Sequence, residues 1–343
     1  MSQRTPERRS DARLSRLAAQ LAPRRPAARL ANAAAADDAI QVLVIGGLGT
    51  VGSGLRTYLP TLDSRYSFTS IDLPGSDDKA PENGVGLELE CDKYYGDVLH
   101  EPELLRTLVQ GKHMVVYLAR RKDLAEMNAM TDLVFETCLA QPQPPFVIGA
   151  SSVHAIDGPG PGSYTVHSGV LSTLSERRFE DIDVWPERIK STTPSVGEKQ
   201  YTVEKRHCEE WCQKCECSRR SFCGRLQPIK ELFADAAAGH GAIAARWGGI
   251  NPTNRVWWGP ETERGYFALF CHQEDSARFV HSCYSTWLQG TLKSGAHYFV
   301  VSNNTYNIFD IEIPRDEIGY VPEHDAEAWM GIFGSRDGSQ GTR

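Results

Sequence analysis

Short apolar strands that alternate with amphipathic helices predict an α/β protein with a doubly wound parallel sheet. Three continuous apolar runs carry this prediction, namely Gln41–Ile45 (QVLVI), Met114–Leu118 (MVVYL) and Phe146–Ala150 (FVIGA). Such runs are typical of parallel strands covered by helices on both faces. A glycine-rich turn follows the first run, as at a strand-to-helix connection. We expect one large domain with a smaller C-terminal portion.

The remaining elements continue this alternation from residue 40 onward. Further strands are predicted at Tyr66–Ile71, Lys93–Asp97, Ala242–Trp247 and Tyr298–Ser302. Helices are predicted at Ser53–Leu59, Glu101–Val109, Asn128–Leu139, Gln200–Glu216 and 224–240. Residues 157–199 are too many for a plain connection, so we interpret them as an insertion beside the substrate.

Composition and charge exclude several classes of protein. The net charge of -7 over 343 residues argues against a general nucleic-acid binder, and no apolar run is long enough to predict a membrane span. Residues 1–35 differ, with eight Arg against two acids, Glu7 and Asp11. That composition is typical of a mitochondrial or plastid transit peptide and also of a disordered basic tail on a cytoplasmic protein. In both interpretations residues 1–38 lie outside the fold.

Nine cysteines without a secretory signal indicate reduced thiols inside a cell. Cys208, Cys212 and Cys215 are spaced as one buried stripe of a helix. With Cys217 and Cys223 nearby, the alternative is a zinc site, although structural zinc usually takes its ligands from turns. We predict a packed stripe and no metal.

The turn after the first strand reads Gly46-Gly47-Leu48-Gly49-Thr50-Val51-Gly52. Either Gly46 or Gly47 can begin a spaced triplet with Gly49 and Gly52. Glycines at this spacing let the chain turn sharply and approach a pyrophosphate, which the N–H groups of the next helix then bind. We therefore expect Gly46, Gly49 and Gly52, with Leu48, Thr50 and Val51 between them, to contact a dinucleotide in a Rossmann-type fold.

Asp72 ends the second strand twenty residues beyond Gly52. A carboxylate there can accept hydrogen bonds from the adenosine ribose and would repel a 2′-phosphate, which favours NAD over NADP. Asp97 ends the third predicted strand and is expected near the adenine amino group. Val98, Leu118 and Ala119 also follow strand ends, so we expect them to line the same crevice.

A second set of residues predicts chemistry. Ser152 follows the apolar strand Phe146–Ala150, where open α/β sheets bind their ligands. Tyr201 and Lys205 are four residues apart on a predicted helix and therefore share a face. A neighbouring ammonium favours the phenolate, which makes Tyr201 a candidate general base, and Ser152 could hold a substrate oxygen. Lys205 is also expected to bind the nicotinamide ribose.

With these motifs in order, the sequence resembles the extended short-chain dehydrogenase/reductase family, also called the NAD-dependent epimerase/dehydratase family. Within it the likeness is greatest to uronate dehydrogenases. The resemblance covers most of residues 40–310 and rests on GGLGTVG, ASSVH, YTVEK, RWGGINP and VSNNT. It implies an NAD-binding domain formed by 39–158 and 200–310. A substrate-binding portion would comprise 159–199, 250–270 and 311–334.

The resemblance also implies roles for individual residues. Ser152, Tyr201 and Lys205 would carry the hydride chemistry, with Asn128 and His154 at substrate-contacting positions. Arg255 is our candidate for a substrate carboxylate, with Arg246 or a surface salt bridge at Arg255 as alternatives. The basic run Arg120–Lys122 departs from the uronate enzymes; it could meet an acidic substrate, a cofactor phosphate or solvent.

These inferences predict an NAD-dependent oxidoreductase that moves hydride between NAD and a sugar acid or related hydroxyl compound. The first alternative is a nucleotide-sugar epimerase or dehydratase that uses NAD transiently. The second is a non-catalytic dinucleotide-binding accessory subunit, against which the presence of both Tyr201 and Lys205 argues. The family resemblance also implies a homodimer.

Overall fold

The computed structural model of the protein describes residues 39–79, 91–157, 187–219, 241–254 and 267–326, together with Asp181 and Val256, and only the backbone of 216–219. From Ile40 onward these residues belong to one compact unit. None of the helices in these ranges combines the length and the apolar character that a membrane span needs.

Strands and helices alternate through most of the described chain. The strands are β1 (Ile40–Ile45), β2 (Tyr66–Asp72), β3 (Cys91–Tyr95), β4 (Met114–Tyr117), β5 (Phe146–Ser152), β6 (Ala242–Trp247) and β7 (His297–Val300). The helices are α1 (Thr50–Leu62), α2 (Pro102–Val109), α3 (Leu124–Leu139), α4 (Gln200–Arg219), α5 (Gln273–Leu288) and α6 (Glu312–Ile318). A 3₁₀ turn, Val153–Ile156, follows β5 directly.

The strands form one seven-stranded sheet in the order β3-β2-β1-β4-β5-β6-β7. All six pairings are parallel, so the carboxyl ends of the strands share one edge. The chain moves outward from β1 in one direction and then from β4 in the other. That reversal opens a crevice at the carboxyl ends of β1 and β4. The predicted doubly wound Rossmann-type fold is confirmed.

Helices cover both faces of this sheet. On one face, the core joins Val42 and Val44 of β1 to Leu55 of α1 and Phe279 of α5, and α1 packs directly on α5. Successive residues of a strand point to opposite faces. Gly149 of β5 accordingly faces the other layer, where α3 packs against α4.

The observed elements differ from the prediction at several points. Strand β3 lies two residues earlier than predicted, and α3 begins at Leu124 because the Asp123 side chain caps it by accepting the Glu126 N–H. Helices α5 and α6 were not predicted. The first turn of α5 buries polar side chains, which obscures its apolar stripe. The predicted helix 224–240 lies outside the described residues.

Candidate active site

Gly46 turns the chain at the end of β1 in a way that requires glycine. Its φ of 88° lies in the left-handed region, and a Cβ there would be 2.8 Å from the backbone nitrogen of Ala119. The Gly46 N–H donates to the Ile71 carbonyl at 2.8 Å, which ties the turn to the end of β2. The glycine turn is therefore packed against the ends of both neighbouring strands.

The other glycines of the turn bring α1 close to β1. A Cβ on Gly52 would be 2.5 Å from the Cα of Gly47, and a Cβ on Gly47 would collide with the Ser70 hydroxyl. Gly49 is the residue before α1, and its N–H donates to the Gly46 carbonyl at 3.2 Å. The sequence allowed the glycine triplet to begin at either Gly46 or Gly47, and close packing requires a glycine at both positions. Thr50, Val51 and Gly52 form the first turn of α1.

Asp72 lies beside this turn, as its spacing predicted. Its two carboxylate oxygens accept the Leu48 N–H at 3.1 and 3.2 Å, and one also accepts the Ser70 hydroxyl at 2.6 Å. These bonds fix the carboxylate at the rim of a cavity of about 390 Å³. The cavity is lined by seven of the predicted cofactor residues: Gly46, Leu48, Gly49, Asp72, Val98, Leu118 and Ala119.

Asp97 is engaged by protein groups. Its carboxylate pairs with Arg121 and lies 2.9 Å from the His100 Nδ1. Burial acts to raise the pKa of Asp97, but the hydrogen bonds from Arg121 and His100 outweigh it and hold the pKa below its ordinary value. A contact between Asp97 and an adenine amino group stays a prediction.

The predicted catalytic residues meet at the end of β5. Ser152 is the last residue of β5, and its Oγ accepts the His154 N–H at 3.2 Å. Lys205 is buried; its Nζ lies 3.3 Å from the Ala150 carbonyl, to which it donates, and 5.1 Å from the centroid of the Tyr201 ring. The first turns of α4 therefore hold the phenol and the ammonium against this strand end.

The 3₁₀ turn after β5 contacts α4 from the other side. The His154 and Tyr201 rings meet edge to face with centroids 6.1 Å apart, and the Thr202 hydroxyl donates to the His154 carbonyl at 3.2 Å. Burial lowers the pKa of His154, which favours the neutral imidazole. His154 thus stands beside the phenol, where its substrate role remains a prediction.

Two arginine–glutamate ion pairs at this site were not predicted from the sequence. Arg120, for which solvent exposure was one of the interpretations, forms two hydrogen bonds with Glu204 and covers the Tyr201 ring. Lys122 is exposed. Glu204 stands next to Lys205 in the sequence, and a charged residue beside a predicted site residue is a signal that could have suggested a buried partner for it.

The second pair joins Glu209 of α4 to Arg246 of β6. The Arg246 Nε and Nη2 donate to the two Glu209 oxygens at 2.7 and 2.9 Å, and Nη1 donates to the Thr193 carbonyl at 2.7 Å. The Ser151 hydroxyl also donates to Glu209, at 2.6 Å. Because Arg246 is fully buried and satisfied by these partners, the alternative that it binds a substrate carboxylate is wrong.

Of the two remaining predicted site residues, the structure describes Asn128 but not Arg255. Asn128 is half-buried on α3, and its Oδ1 is shielded from solvent with no hydrogen-bond partner among the described residues. Arg255 lies outside the described residues. The cavity lined by Gly46, Gly49 and Asp72, at the start of α1, offers a dinucleotide helix N–H groups for its pyrophosphate and a carboxylate for its ribose. The residues present thus fit an NAD molecule.

The cysteine stripe packs where α4 crosses β5. Cys208, Cys212 and Cys215 are all buried, as predicted for a packed stripe. A Cβ on Gly149 would be 2.6 Å from the Cys208 sulfur, so the thiols approach the strand closely. Burial raises the pKa of Cys215 to about 12, which favours its thiol form. The Cys217 side chain and Cys223 lie outside the described residues.

Comparison with solved structures gives the fold a wider context. The chain is similar to uronate dehydrogenase from Agrobacterium tumefaciens, with a TM-score of 0.54 at 16% identity over 84% of this chain and 86% of that one. It is similar to glucuronic acid dehydrogenase from Chromohalobacter salexigens, with a TM-score of 0.54 at 17% identity over 85% and 87%. The dTDP-glucose 4,6-dehydratase from Bacillus anthracis, in complex with NAD, gives 0.55 at 12% identity over 85% and 94%.

No family model matches the sequence, and a search of curated proteins finds no match. At these identities the comparisons show that the chain shares the fold of these enzymes.

Proposed function

We propose that the protein is an NAD-dependent oxidoreductase acting on a sugar acid or a related hydroxyl compound. The observation that carries the proposal is the convergence of two sites at one sheet edge. A glycine-bounded cavity beside Asp72 lies at the ends of β1 and β2, and Ser152, Tyr201 and Lys205 meet at the end of β5. The proposal adopts the division into an NAD-binding domain and a substrate-binding portion stated above.

Bound NAD would supply the hydride acceptor for oxidation of a substrate alcohol. Gly46, Gly49 and the start of α1 would hold its pyrophosphate, and Asp72 would accept hydrogen bonds from its adenosine ribose. Since Asp72 already receives two protein donors, a 2′-phosphate would meet a fixed negative charge, which favours NAD over NADP.

The protein's part is to position the substrate and move a proton. Tyr201 in its phenolate form would accept the proton of the substrate hydroxyl, while Ser152 would hold the substrate oxygen by a hydrogen bond. Lys205 donates to the end of β5, so its ammonium is fixed beside the phenol. His154, whose ring contacts that of Tyr201, and Asn128 are proposed substrate contacts, with Arg255 as the proposed partner of a carboxylate.

The test combines binding with turnover. Purified protein is incubated with NAD and a panel of uronic acids, aldoses and nucleotide sugars, and reduced cofactor is followed by absorbance. We expect Tyr201→Phe to lower the rate by about two to four powers of ten, as for loss of a general base, while NAD still binds by calorimetry. Conversion of a nucleotide sugar without net reduced cofactor would favour the epimerase or dehydratase alternative. Failure of the wild-type protein to bind NAD would refute both.

Two further aspects of the proposal are tested separately. We propose a homodimer, on the family resemblance, and light scattering coupled to size-exclusion chromatography would measure the mass in solution. We also propose that residues 1–35 direct import into an organelle, on their excess of arginine. A fluorescent fusion with and without these residues would reveal whether they change its location.

A further inference from the structure

Arg120 connects the segment after β4 to the catalytic helix. Its Nε and Nη2 donate to the Glu204 oxygens at 2.6 and 3.2 Å, and its guanidinium carbon lies 4.7 Å from the centroid of the Tyr201 ring. Glu204 is fully buried, whereas the Arg120 side chain is 46% exposed. One face of the guanidinium thus covers the phenol while its edge binds the carboxylate.

Glu204 poses an electrostatic problem for the proposed chemistry. One of its oxygens lies 3.5 Å from the Lys205 Nζ, so it is close enough to neutralise the ammonium. The phenolate of Tyr201 needs a nearby positive charge. Glu204 and Lys205 together carry no net charge, and adding Arg120 gives the group a net charge of +1. The hydrogen bond with Glu204 raises the pKa of Arg120, so the guanidinium stays charged.

We propose that Arg120 is a positioning residue that acts through Tyr201. Arg120 neutralises Glu204 and covers the phenol ring. One uncompensated positive charge therefore remains beside Tyr201 and favours ionisation of the phenol to the phenolate. This inference rests on the proposed function, because it assigns to Arg120 a part in setting the pH at which the general base works. Its electrostatic content can nevertheless be measured without cofactor or substrate.

Few other ionisable groups face the Tyr201 ring within the described ranges. Glu204 and Lys205 approach from its own helix, Arg120 from the segment after β4, and His154 from the turn after β5. Burial lowers the pKa of His154, so this ring contributes no charge at neutral pH. The charges closest to the phenol are therefore those of Arg120, Glu204 and Lys205, with the ion pair of Lys199 and Asp157 farther out beside His154.

The experiment is a titration of Tyr201 by NMR, with tyrosine isotopically labelled at the ζ carbon. The Tyr201 signal is assigned as the one missing from Tyr201→Phe. Removing the negative charge in Glu204→Gln should lower the ionisation midpoint by about one pH unit, and removing the positive charge in Arg120→Met should raise it by about one. The double variant Arg120→Met/Glu204→Gln should return toward the wild-type midpoint, and Arg120→Lys should stay near it.

The matched control is Lys214→Met. It removes one positive charge, as Arg120→Met does, from the helix that carries Tyr201, but about 20 Å from Tyr201 at 1.5 Å per residue, where salt screens the interaction. Its midpoint should equal that of the wild type. If Glu204→Gln leaves the midpoint unchanged or raises it, or if Arg120→Met leaves it unchanged or lowers it, the inference is overturned. Loss of NAD binding by the wild-type protein would instead refute the proposed function and leave the titration result standing.

Discussion

The two halves of the candidate site are built by opposite means. At the ends of β1 and β2, missing side chains at Gly46, Gly47 and Gly52 let backbone segments approach one another. Beneath α4, long charged side chains fill the space, with Arg246 bound to Glu209 in the core. The first part, called the glycine half, depends on close backbone packing. The second part, called the α4 half, depends on the pairing of opposite charges. Mutations should therefore damage the two halves in different ways.

The largest effect is expected from breaking the buried pair beneath α4. Arg246→Met leaves the Glu209 carboxylate buried without its guanidinium, and we expect the free energy of unfolding to fall by about 3–5 kcal/mol in urea denaturation. The double variant Arg246→Met/Glu209→Leu should recover part of this loss because no unpaired charge remains.

The surface pair of exposed Arg65 and half-buried Asp63, at 2.7 Å, provides the control. Arg65→Met should cost less than about 1 kcal/mol. Equal losses for Arg65→Met and Arg246→Met would contradict the view that balanced charge holds the α4 half together.

A smaller effect on stability is expected in the glycine half. Gly46→Ala forces an L-residue to a φ of 88° and a Cβ against the Ala119 backbone, so we expect a loss of about 2 kcal/mol in unfolding free energy. NAD affinity, measured by calorimetry, should fall with it because the turn must shift. Gly111 is the control, since it also has a positive φ of 67° but no neighbour within 4 Å of an added Cβ.

Gly111→Ala should cost about 1 kcal/mol from the backbone conformation alone and leave NAD affinity unchanged. Similar NAD affinities for the two alanine variants would show that close packing at Gly46 does not shape the crevice.

The smallest effect is expected in the free energy of unfolding at acidic pH. Burial would raise the pKa of Glu209, but the hydrogen bonds and charge of Arg246 hold it below the ordinary value of 4.5. A carboxylate with a depressed pKa in the folded state contributes stability above its unfolded pKa and loses that contribution as the pH falls. Unfolding free energy should therefore drop below about pH 4.5 by about 1 kcal/mol more in the wild type than in Arg246→Met/Glu209→Leu.

Urea unfolding at a series of pH values measures this difference. Other carboxylates with depressed pKa values, including Asp78 and Glu274, remain in both proteins, so only the difference between the two curves is informative. Parallel curves would indicate that the pKa of Glu209 is the same in the folded and the unfolded protein, so that Arg246 does not lower it.

The sequence predicted the glycine half more fully than the α4 half, for a physical reason. The turn Gly46–Gly52 is contiguous, and its carboxylate Asp72 stands at a characteristic distance along the chain. The pairs beneath α4 join residues far apart in sequence, 84 positions for Arg120 with Glu204 and 37 for Glu209 with Arg246. Local spacing carries no information about such partners.

Helix α5 illustrates a second cause of failure. Its first turn buries Gln273, which donates to the Thr50 carbonyl at 2.6 Å, and Asp275, which accepts the Ser302 hydroxyl at 2.5 Å. Polar residues that bind across the core interrupt the apolar periodicity on which helix prediction depends. His272 as the capping residue, with two acids in the first turn, was the signal that could have revealed the helix.

Gly149 sets how closely α4 can approach the strand that carries Ser152. The sulfurs of Cys208 and Cys212 occupy the volume that a methyl group at position 149 would need. Even the smallest side chain there would lift α4 away from β5 and move the hydroxyl of Tyr201 relative to that of Ser152. The spacing of α4 from β5, and with it the separation of Tyr201 from Ser152, thus depends on the absence of a side chain at position 149, which lies against α4 two helical turns from Tyr201.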